Sequence, residues 1–479
     1  YGANSAGQRK KTLVEFVSAN PTGPLHVGHG RGAAYGASLA AILEMAGFDV
    51  SREYYVNDAG RQMDILALST WLRYLELHGE VVPFPPNAYQ GDYVKDMAQQ
   101  LGAAQGAKYK RSASEVQRDV PPLPDAARED DEAKIAREIH LDALIAKART
   151  LLGADYETVH HHALTQQLDD CREDLTQFGV TFDRWYSERS LFTSQRVDSA
   201  VRELERRGHL YVKDGATWFR SSSFGDEKDR VVQRENGQYT YFASDIAYHL
   251  DKFQRGFDLV IDVWGADHHG YIPRVKGALQ ALDLDTSRFN VSLVQFAVLY
   301  RNGQKVSMST RSGEFVTLRE LRGEVGNDAA RFFYVLRKSD QHLDFDLDLA
   351  KSQSNDNPVY YIQYAHARIS SVLEKWGGDR ATLRTANLDA LSNEREAQLL
   401  QTLLDYPEIV ANAALDYAPH AVAYYLKDLA GHLHSYYNAE QFLVDDEALK
   451  LARLALIAAV QQVLRNGLAL LGVSAPERM

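Results

Sequence analysis

The sequence predicts an α/β protein in which a parallel-sheet domain is followed by an all-helical domain. An early strand–turn–helix–strand succession forms a βαβ unit, which implies parallel strands with ligands at their carboxyl ends. Strand patterns stop near residue 350, and every later segment has helical periodicity. We therefore expect one domain at residues 1–350, with a helical insertion at about 80–165, and a second at residues 351–479.

The composition is that of an ordinary globular chain of two or three domains, with 479 residues, 45% hydrophobic residues and a net charge of −12. No apolar run approaches the roughly 20 residues that span a membrane, so no membrane partner is expected. The single cysteine, Cys171, excludes a disulfide framework within the chain and favours a cytoplasmic protein. The acidic charge disfavours non-specific nucleic-acid binding but permits a local basic face. A monomer is the default expectation.

The βαβ unit begins with Thr12–Ser18, an alternating and β-rich segment. After a Pro/Gly turn, small apolar residues at helical spacing predict a helix over Gly28–Met45, with Gly47 as a C-cap. Asp49–Val56 is the next expected strand.

The remaining elements are predicted from periodicity and turn residues. Residues 61–165 are expected to be mostly helical, with Leu101–Glu132 as a loop or mobile hairpin around its prolines. Buried strands are expected at Asp258–Val263 and Val291–Leu299. The expected amphipathic helices of the tail are Tyr360–Trp376, Asn393–Tyr417, Ala421–Tyr437 and Ala448–Leu471.

The segment Ser18–Arg31 carries the strongest chemical signal, because a strand leads through a turn into a helix whose start holds His26 and His29. The free N–H groups and dipole of a helix start form an anion site, and Gly28 lets a flat ligand lie against the backbone. Both histidines can donate to phosphate oxygens as charge builds in a pentavalent transition state. A pair of helix-start histidines without a ligand is the alternative, which the order of strand, turn and helix disfavours.

This segment resembles the "HIGH" signature of class I aminoacyl-tRNA synthetases, and the longer string is similar to that of the arginyl-tRNA synthetases. The resemblance extends from about Leu13 to Met479 and implies a Rossmann-like catalytic domain followed by an all-α anticodon-binding domain. It implies that ATP meets the turn and helix start at Pro21, Gly23, His26, Gly28 and His29. It also implies that the amino and carboxylate groups of the amino acid are held by Ser18, Asn20 and His29.

The implied reaction joins L-arginine to the 2′-OH of the terminal adenosine of tRNA-Arg through arginyl-adenylate, with release of AMP and pyrophosphate. Magnesium is expected to accompany ATP without a dedicated cage, and arginine activation is expected to depend on bound tRNA. The family usually begins with a small added domain, and this chain, which has no initiator Met, is expected to lack it.

The loop Gly303–Gly313 matches the family's "KMSKS" loop in its arginyl form, with Ser307, Met308 and Ser309 on the ATP side. Ser307 and Thr310 stand where lysines are expected, so the phosphate charge must be neutralised elsewhere. Candidate cations are Lys305 and Arg311 in the loop, and Lys10 and Lys11 before the first strand. Without the resemblance, a surface hairpin turn is the favoured interpretation.

The string Tyr239–Asp245 carries Tyr241 and Asp245, which by resemblance line the amino-acid pocket. A guanidinium is planar and always charged, so it favours a carboxylate in bidentate geometry and an aromatic wall. The alternative is a helix capped by Ser244 or Asp245 beside a core tyrosine. The candidates for a second carboxylate or polar partner are Asp49, Glu53, Asn57 and Asp58.

The loop that follows the strand Asp258–Val263 is also polar. By resemblance, Gly265, Asp267 and His268 belong to the adenosine side, with Asp267 on a ribose hydroxyl, and His269 belongs to the arginine side. A metal site is the alternative, which adjacent histidines at a strand end disfavour, so no bound metal is expected.

The string Asp328–Phe332 resembles the "DALR" signature that opens the helical anticodon-binding domain, with Ala330 in place of Leu. The tRNA contacts we expect in the tail are Tyr360, Tyr364 and Arg368, although an aromatic stripe is more often core. His160–His162 is interpreted as a solvated face. The rival functions are a pantothenate-synthetase-like ligase, a non-catalytic RNA-binding relative and a synthetase for another amino acid.

Overall fold

The computed structural model describes residues 1–125, 128, 130–306 and 316–479. Its strands are β1 (Lys11–Glu15), β2 (Asp49–Val56), β3 (Arg184–Ser187), β4 (Leu210–Lys213), β5 (Ala216–Phe219), β6 (Arg230–Gln233), β7 (Leu259–Gly265), β8 (Phe289–Val294), β9 (Ala297–Arg301), β10 (Gln304–Lys305) and β11 (Leu343–Asp346).

The helices begin with the one that follows β1 and end close to the carboxyl terminus. They are α1 (Val27–Met45), α2 (Arg61–Leu77), α3 (Asp92–Gln105), α4 (Ala113–Gln117), α5 (Asp131–Leu152), α6 (Asp155–Gln177), α7 (Arg189–Thr193), α8 (Arg196–Arg206), α9 (Tyr241–Gln254), α10 (Ile272–Ala281), α11 (Leu318–Val325), α12 (Asn327–Val335), α13 (Leu347–Lys351), α14 (Pro358–Trp376), α15 (Glu394–Leu415), α16 (Pro419–Ala439) and α17 (Glu447–Leu470).

In the part of the chain that the structure describes, the central sheet has five parallel strands in the order β3-β2-β1-β7-β8. The strand β1 lies in the middle and is buried along almost its whole length, as expected for a parallel strand covered on both faces. The carboxyl ends of β2, β1 and β7 therefore meet at one edge of the sheet. This arrangement confirms the predicted α/β fold class.

The helix α1 lies close against the sheet because its small residues allow it. A Cβ atom on Gly36 would lie 2.3 Å from the ring of Phe16, so only glycine permits this approach. The helix ends at Met45 with Ala46 as its C-cap, and Gly47 then takes a φ of 87°, a left-handed conformation that favours glycine. The predicted helix and the strand that follows are observed, but the C-cap is one residue earlier than the predicted Gly47.

The helical insertion α2–α6 has its own core. Within it, Tyr109 and Val116 are fully buried, and the indole of Trp71 donates to the Tyr109 carbonyl at 3.0 Å. The prediction of a loop or mobile hairpin over Leu101–Glu132 was therefore wrong for much of this segment. Its buried residues anchor it to the insertion core.

The prediction of one strand over Val291–Leu299 was also wrong, because the chain forms two strands there. The first, β8, joins the central sheet, whereas the second, β9, pairs with β10 and β11. The chain turns between them at Gln295, whose N–H donates to the Ser339 carbonyl at 2.8 Å. A separate antiparallel sheet is formed by β4, β5 and β6.

The helical tail packs directly on the catalytic part, and their buried residues form one continuous core. Arg331 on α12 lies at this junction and donates to the carbonyls of Leu471 and Phe178 at 3.0 and 3.4 Å. Burial lowers the pKa of Arg331 to about 10, which leaves the guanidinium charged at neutral pH. The four tail helices α14–α17 match the predicted ones closely. Among the described residues, no helix is long and apolar enough to cross a membrane.

Candidate active site

The chain reverses sharply where β1 reaches the carboxyl edge of the sheet. Val17 and Ser18 have φ angles of 68° and 42°, a left-handed conformation that costs non-glycine residues about 1–3 kcal/mol each. The strand therefore ends at Glu15 rather than at Ser18, where we predicted its end. Ser18 Oγ donates to Glu15 Oε1 at 2.8 Å and accepts from the Tyr55 N–H at 3.1 Å. This left-handed turn places Ser18 over the strand ends.

The first turn of α1 is capped by its own two histidines. His26 Nδ1 accepts from the Gly28 N–H at 3.1 Å, and His29 Nδ1 accepts from the His26 N–H at 3.2 Å. The rings stack with their centroids 3.7 Å apart. Because Nδ1 is an acceptor in both rings, the proton of each neutral imidazole resides on Nε2, which is then a donor.

Burial lowers the pKa of His26, and burial together with the neighbouring ring of His26 lowers the pKa of His29 to about 3. Both rings are consequently neutral donors near pH 7. The capping interpretation and the donor interpretation are compatible, because capping uses Nδ1 of each ring and the proton of each ring is on Nε2. Gly28 is needed because a Cβ atom there would lie 2.8 Å from the His26 ring.

The turn between β1 and α1 is supported by neighbouring side chains. Pro21 is buried, and the Tyr93 hydroxyl, which donates to the Thr22 carbonyl at 2.6 Å, would lie 3.3 Å from a Cβ atom on Gly23. Asn20 is exposed, and its side-chain oxygen accepts from the Asn57 amide at 3.0 Å. The insertion, which carries Tyr93, thus fixes the shape of the turn.

A cavity of about 380 Å³ opens at the carboxyl ends of β1 and β7, beside α9. Its lining includes Ser18, Asp245, Gly265 and His268, which were predicted from the sequence. The other lining residues were not predicted as site residues from the sequence. They are Glu15, Val17, Tyr55, Tyr248, His249, Val263, Trp264 and Tyr271. No lysine or arginine of the described residues lines this cavity.

Asp245 is a half-buried residue whose carboxylate lines this cavity. Burial raises its pKa, and the hydroxyl of Tyr271, which donates to Oδ2, opposes that rise. The alternative role as a helix cap is excluded, because α9 begins at Tyr241 with Thr240 as its N-cap.

Glu188 is a second buried acid near Asp245, and the sequence analysis missed it. Its side chain follows β3 at the same edge of the sheet, and the residue is only 3% exposed. Burial, and then the charge of Asp245, raise the pKa of Glu188 to about 7. Its Oε2 atom has no hydrogen-bond partner among the described residues. The signal that could have found it is a carboxylate just past the end of a parallel strand.

Tyr241 is not placed in the cavity that contains Asp245. It is 59% exposed and lines a smaller cavity of about 230 Å³ with Asn20, Asn57 and Gln62. The structure therefore separates two residues that we predicted to share one pocket.

The candidates for a second carboxylate are engaged elsewhere. Glu53 accepts from both terminal nitrogens of Arg255, at 2.5 and 2.8 Å, and Asp58 accepts from Ser187 Oγ at 2.6 Å. Asp49 begins β2 and lies at the opposite edge of the sheet.

Lys10 and Lys11 lie at that opposite edge as well, since Lys11 is the first residue of β1. A five-residue strand rises about 15 Å. Their proposed role in neutralising phosphate was therefore wrong.

The chain after β7 brings Asp267 close to the strand end. A Cβ atom on Gly265 would lie 2.4 Å from Asp267 Oδ1, so this approach requires glycine. Asp267 and His268 are both exposed, with 3.6 Å between Oδ2 and Nε2. His269 is exposed and does not line the cavity with Asp245. Among the described residues, no three His, Cys, Asp or Glu side chains are grouped to hold a metal ion.

The signature loop is only partly described. Lys305 is exposed at the end of β10, whereas Ser307, Met308, Ser309 and Arg311 lie outside the described residues. The helix start and the strands before the loop are joined by the buried Arg31. Its guanidinium donates to the Gln295, Gln341 and Lys338 carbonyls at 2.7, 2.8 and 3.0 Å.

Two family descriptions match this chain. The description "tRNA synthetases class I (R), catalytic domain" matches residues 1–77 and 142–346, and "DALR anticodon binding domain" matches residues 362–479. The chain belongs to the arginyl-tRNA synthetase family.

Relatives agree with this membership. The chain is 70% identical to an arginine–tRNA ligase of Azoarcus sp. (strain BH72), over 99% of this chain and 81% of that protein. It is 67% identical to an arginine–tRNA ligase of Dechloromonas aromatica, over 100% of this chain and 82% of that protein. A solved structure described as an arginyl-tRNA synthetase of Campylobacter jejuni superposes with a TM-score of 0.86 at 32% identity, covering 100% of this chain and 96% of that one.

The synthetase's helical tail places its expected tRNA residues along α14. The rings of Tyr360 and Tyr364 stack with centroids 6.0 Å apart. The guanidinium of Arg368 lies 4.5 Å from the Tyr364 ring and 4.7 Å from the Tyr437 ring. Tyr360 and Tyr364 are both half-buried, so part of each ring faces solvent.

The three consecutive histidines do not form a solvated face, which corrects that prediction. His160 is 5% exposed, and one nitrogen of its ring lies 3.3 Å from Arg189 Nη2. His162 Nε2 is 3.0 Å from the Met97 carbonyl, whereas His161 is exposed. Consecutive residues of a helix point in different directions, so the three rings lie in three different environments.

Proposed function

We propose that the carboxyl edge of the sheet activates L-arginine with ATP and then transfers it to the 3′-terminal adenosine of tRNA-Arg. Family membership establishes the overall reaction as ligation of arginine to tRNA. The single observation that carries the site assignment is the cavity at β1, β7 and α9, which is lined by acids and by no described lysine or arginine.

Arginine carries two cationic groups, and the acids are placed to meet both. Asp245, which is half-buried, and Glu188, which is buried, are near each other, which suits a guanidinium that presents paired donors in one plane. Glu15 lies at the end of β1 on the same cavity and suits the α-ammonium group. A bound guanidinium would compensate the mutual repulsion that raises the pKa of Glu188.

The phosphates of ATP are assigned to the helix start, with Mg²⁺ as their companion. The Nε2 donors of His26 and His29 and the positive end of the α1 dipole are proposed to face the developing negative charge. The neighbouring residues assigned to ATP are Pro21, Gly23, Gly28, Gly265, Asp267 and His268. Lys305 and the loop residues Ser307, Met308, Ser309 and Arg311 complete the phosphate side in this proposal.

In the first step the arginine carboxylate attacks the α-phosphorus, and pyrophosphate leaves. In the second step the 2′-OH of the tRNA attacks the mixed anhydride, and AMP leaves. Both steps depend on positioning and charge stabilisation rather than on a covalent enzyme intermediate. Ser18, Asn20 and His29 are assigned to the amino and carboxylate groups. The predicted assignment of Tyr241 and His269 to the arginine side is not retained, because neither lines the cavity of Asp245.

The two proposed domains, residues 1–350 and 351–479, are assigned different substrates: the first binds arginine and ATP, and the second binds tRNA. The helical domain is proposed to bind the anticodon arm of the tRNA, with Tyr360, Tyr364 and Arg368 as candidate contacts. The protein is proposed to act as a cytoplasmic monomer.

Exchange of pyrophosphate into ATP, measured with each amino acid and with or without tRNA-Arg, tests this assignment. We expect exchange that requires arginine and tRNA together. Lysine is the sharpest control, because it has a cationic side chain and an α-ammonium group but lacks the planar guanidinium with its paired N–H donors. Exchange with lysine at a comparable rate, or exchange that needs no tRNA, would overturn the proposal.

A further inference from the structure

A buried cluster of charges lies directly under the proposed arginine cavity and is centred on Lys252. The Lys252 ammonium lies 2.5 Å from Glu15 Oε2 and 2.7 Å from Asp262 Oδ1. His249 Nε2 is 2.9 Å from Asp262 Oδ2. The lysine and Asp262 side chains have no exposed surface.

The cluster joins three elements of the site. Lys252 lies on α9, seven residues after Asp245, and residues three, four and seven apart share one face of a helix. The lysine thereby connects the helix that carries Asp245 to the ends of β1 and β7 through Glu15 and Asp262. Glu15 and His249 are the members of the cluster that also line the cavity, and Glu15 is the acid among them.

The charges of the cluster depend on one another. Burial raises the pKa of Glu15, and the Lys252 charge offsets part of that rise. Burial alone would lower the pKa of Lys252, but Asp262 and Glu15 outweigh it and raise that pKa. Without the lysine, two buried acids would face each other with no cation between them, and one of them would take up a proton.

We propose that Lys252 is a positioning residue that supplies the countercharge of Glu15 and aims its carboxylate at the cavity, so that the α-ammonium of arginine meets a charged acceptor. This inference rests on the proposed function, because it needs arginine in the cavity. The lysine itself touches no substrate. Its effect passes through Glu15 Oε2, while Ser18 Oγ holds Oε1 at 2.8 Å.

The test compares ligands that do or do not contain the ammonium group. The variant Lys252→Met keeps the length of the side chain and removes its charge. We expect it to weaken L-arginine and agmatine, which both carry the amine, by roughly ten- to a hundredfold, the worth of a charge-assisted hydrogen bond. Deamino-arginine, which has the guanidinium but no amine, should inhibit the variant and the parent within about threefold of each other.

Matched variants separate this role from a general loss of structure. Lys276→Met makes the same change on the neighbouring helix α10 and should leave all three ligands unaffected. Lys252→Arg retains a cation and should recover part of the affinity for L-arginine. If Lys252→Met does not fold, Lys252→Gln, which keeps two N–H donors, replaces it in the same comparison.

The pH profile provides a second measurement. The KM for arginine of Lys252→Met should fall as pH rises across the range in which the protein stays folded, because burial raises the pKa of Glu15 and the carboxyl regains its charge at higher pH. The profile of Lys276→Met over the same range should follow the parent. The charged and titratable groups that face Glu15 are Tyr55 on β2, Tyr248, His249 and Lys252 on α9, and Asp262 on β7.

Equal weakening of arginine and deamino-arginine in the Lys252 variants would overturn the inference, as would a profile that matches the parent. Failure of the proposed function would be distinct, because the parent itself would then show no arginine-dependent pyrophosphate exchange.

Discussion

The two ends of the candidate site handle charge in opposite ways. At the arginine end, acids are buried and each is held by a neighbour: Asp245 by Tyr271, and Glu15 by Lys252 and Ser18. At the phosphate end, the described donors His26 and His29 are neutral, and the nearest described cation of the loop, Lys305, is exposed.

This difference teaches how binding is divided between the substrates. Ionisation of a buried acid costs free energy when no cation is bound beside it, and a cationic ligand offsets that cost. The arginine end therefore favours cationic ligands. The phosphate end uses preoriented neutral donors, which gain strength as negative charge develops in the transition state. Changes at the arginine end should therefore act mainly on KM for arginine, and changes at the phosphate end mainly on kcat.

The largest expected effect is at Asp245. Asp245→Asn keeps the shape of the side chain and removes its charge, which should lower kcat/KM for arginine about a thousandfold, as for a buried ion pair that loses one partner. Asp119→Asn is the control, since that carboxylate is 84% exposed and lies outside this cavity. Steady-state aminoacylation at varied arginine measures both. A loss below tenfold at Asp245 would remove it from the guanidinium site.

The next effect is at His29. His29→Ala removes one neutral donor and should lower kcat for pyrophosphate exchange about a hundredfold. Because the pKa of His29 is about 3, the parent should show no loss of activity from this residue between pH 6 and 8. A kcat that falls with the titration of a histidine at the helix start would contradict the neutral-donor account.

Glu188→Gln should weaken arginine binding less than Asp245→Asn does, and it should stabilise the ligand-free protein. Glu188→Gln should raise KM for arginine about tenfold, since one charge-assisted bond is weakened. The raised pKa of about 7 means that folding takes up a proton, so the parent loses stability as pH rises from about 4.5 to 7, by about 3 kcal/mol at most.

The ligand-free Glu188→Gln protein should therefore melt at a higher temperature than the parent at pH 8, and the gap should narrow at pH 5. Glu157→Gln, which changes an exposed acid with a 71% accessible side chain, should not reproduce this pattern. Equal melting curves at pH 8 would show that Glu188 is not a buried, ionised carboxylate there.

The smallest effect is expected far from either end, on α14. Tyr360→Ala should raise KM for tRNA-Arg about five- to twentyfold, the range for loss of one stacked base, and leave KM for arginine unchanged. Tyr437→Ala, which removes the other ring beside Arg368, serves as a packing control. A change confined to thermal stability would assign Tyr360 to the core.

The elements around β1 were predictable because strong local signals coincide there. Alternation identified β1 and β2, and helical spacing with a following glycine identified α1 and its end. The place of Ser18 in the site was predicted from the sequence. The strained Val17–Ser18 turn that ends β1 early was not, because only tertiary contacts hold such a conformation.

The acids of the cavity were harder to find from the sequence. Glu188 follows a four-residue strand with no distinctive motif, and Glu15 lies inside a strand whose alternation suggests only structure. In the sequence, Lys252 resembles any lysine of an exposed helix face. Its burial depends on contacts with β1 and β7, and β1 is distant in sequence. Tyr241 was predicted beside Asp245 from the family resemblance, but its position at the start of α9 leaves it exposed.

The central claim, that buried acids receive the cationic groups of arginine, is tested most directly by proton release on binding. Near pH 7 a carboxyl with a pKa of about 7 is half protonated, so arginine should displace up to about half a proton from Glu188. Isothermal titration calorimetry of arginine in buffers with different ionisation enthalpies measures this number. We expect release in the parent and none in Glu188→Gln. A heat that is independent of the buffer, or uptake of protons, would contradict the account.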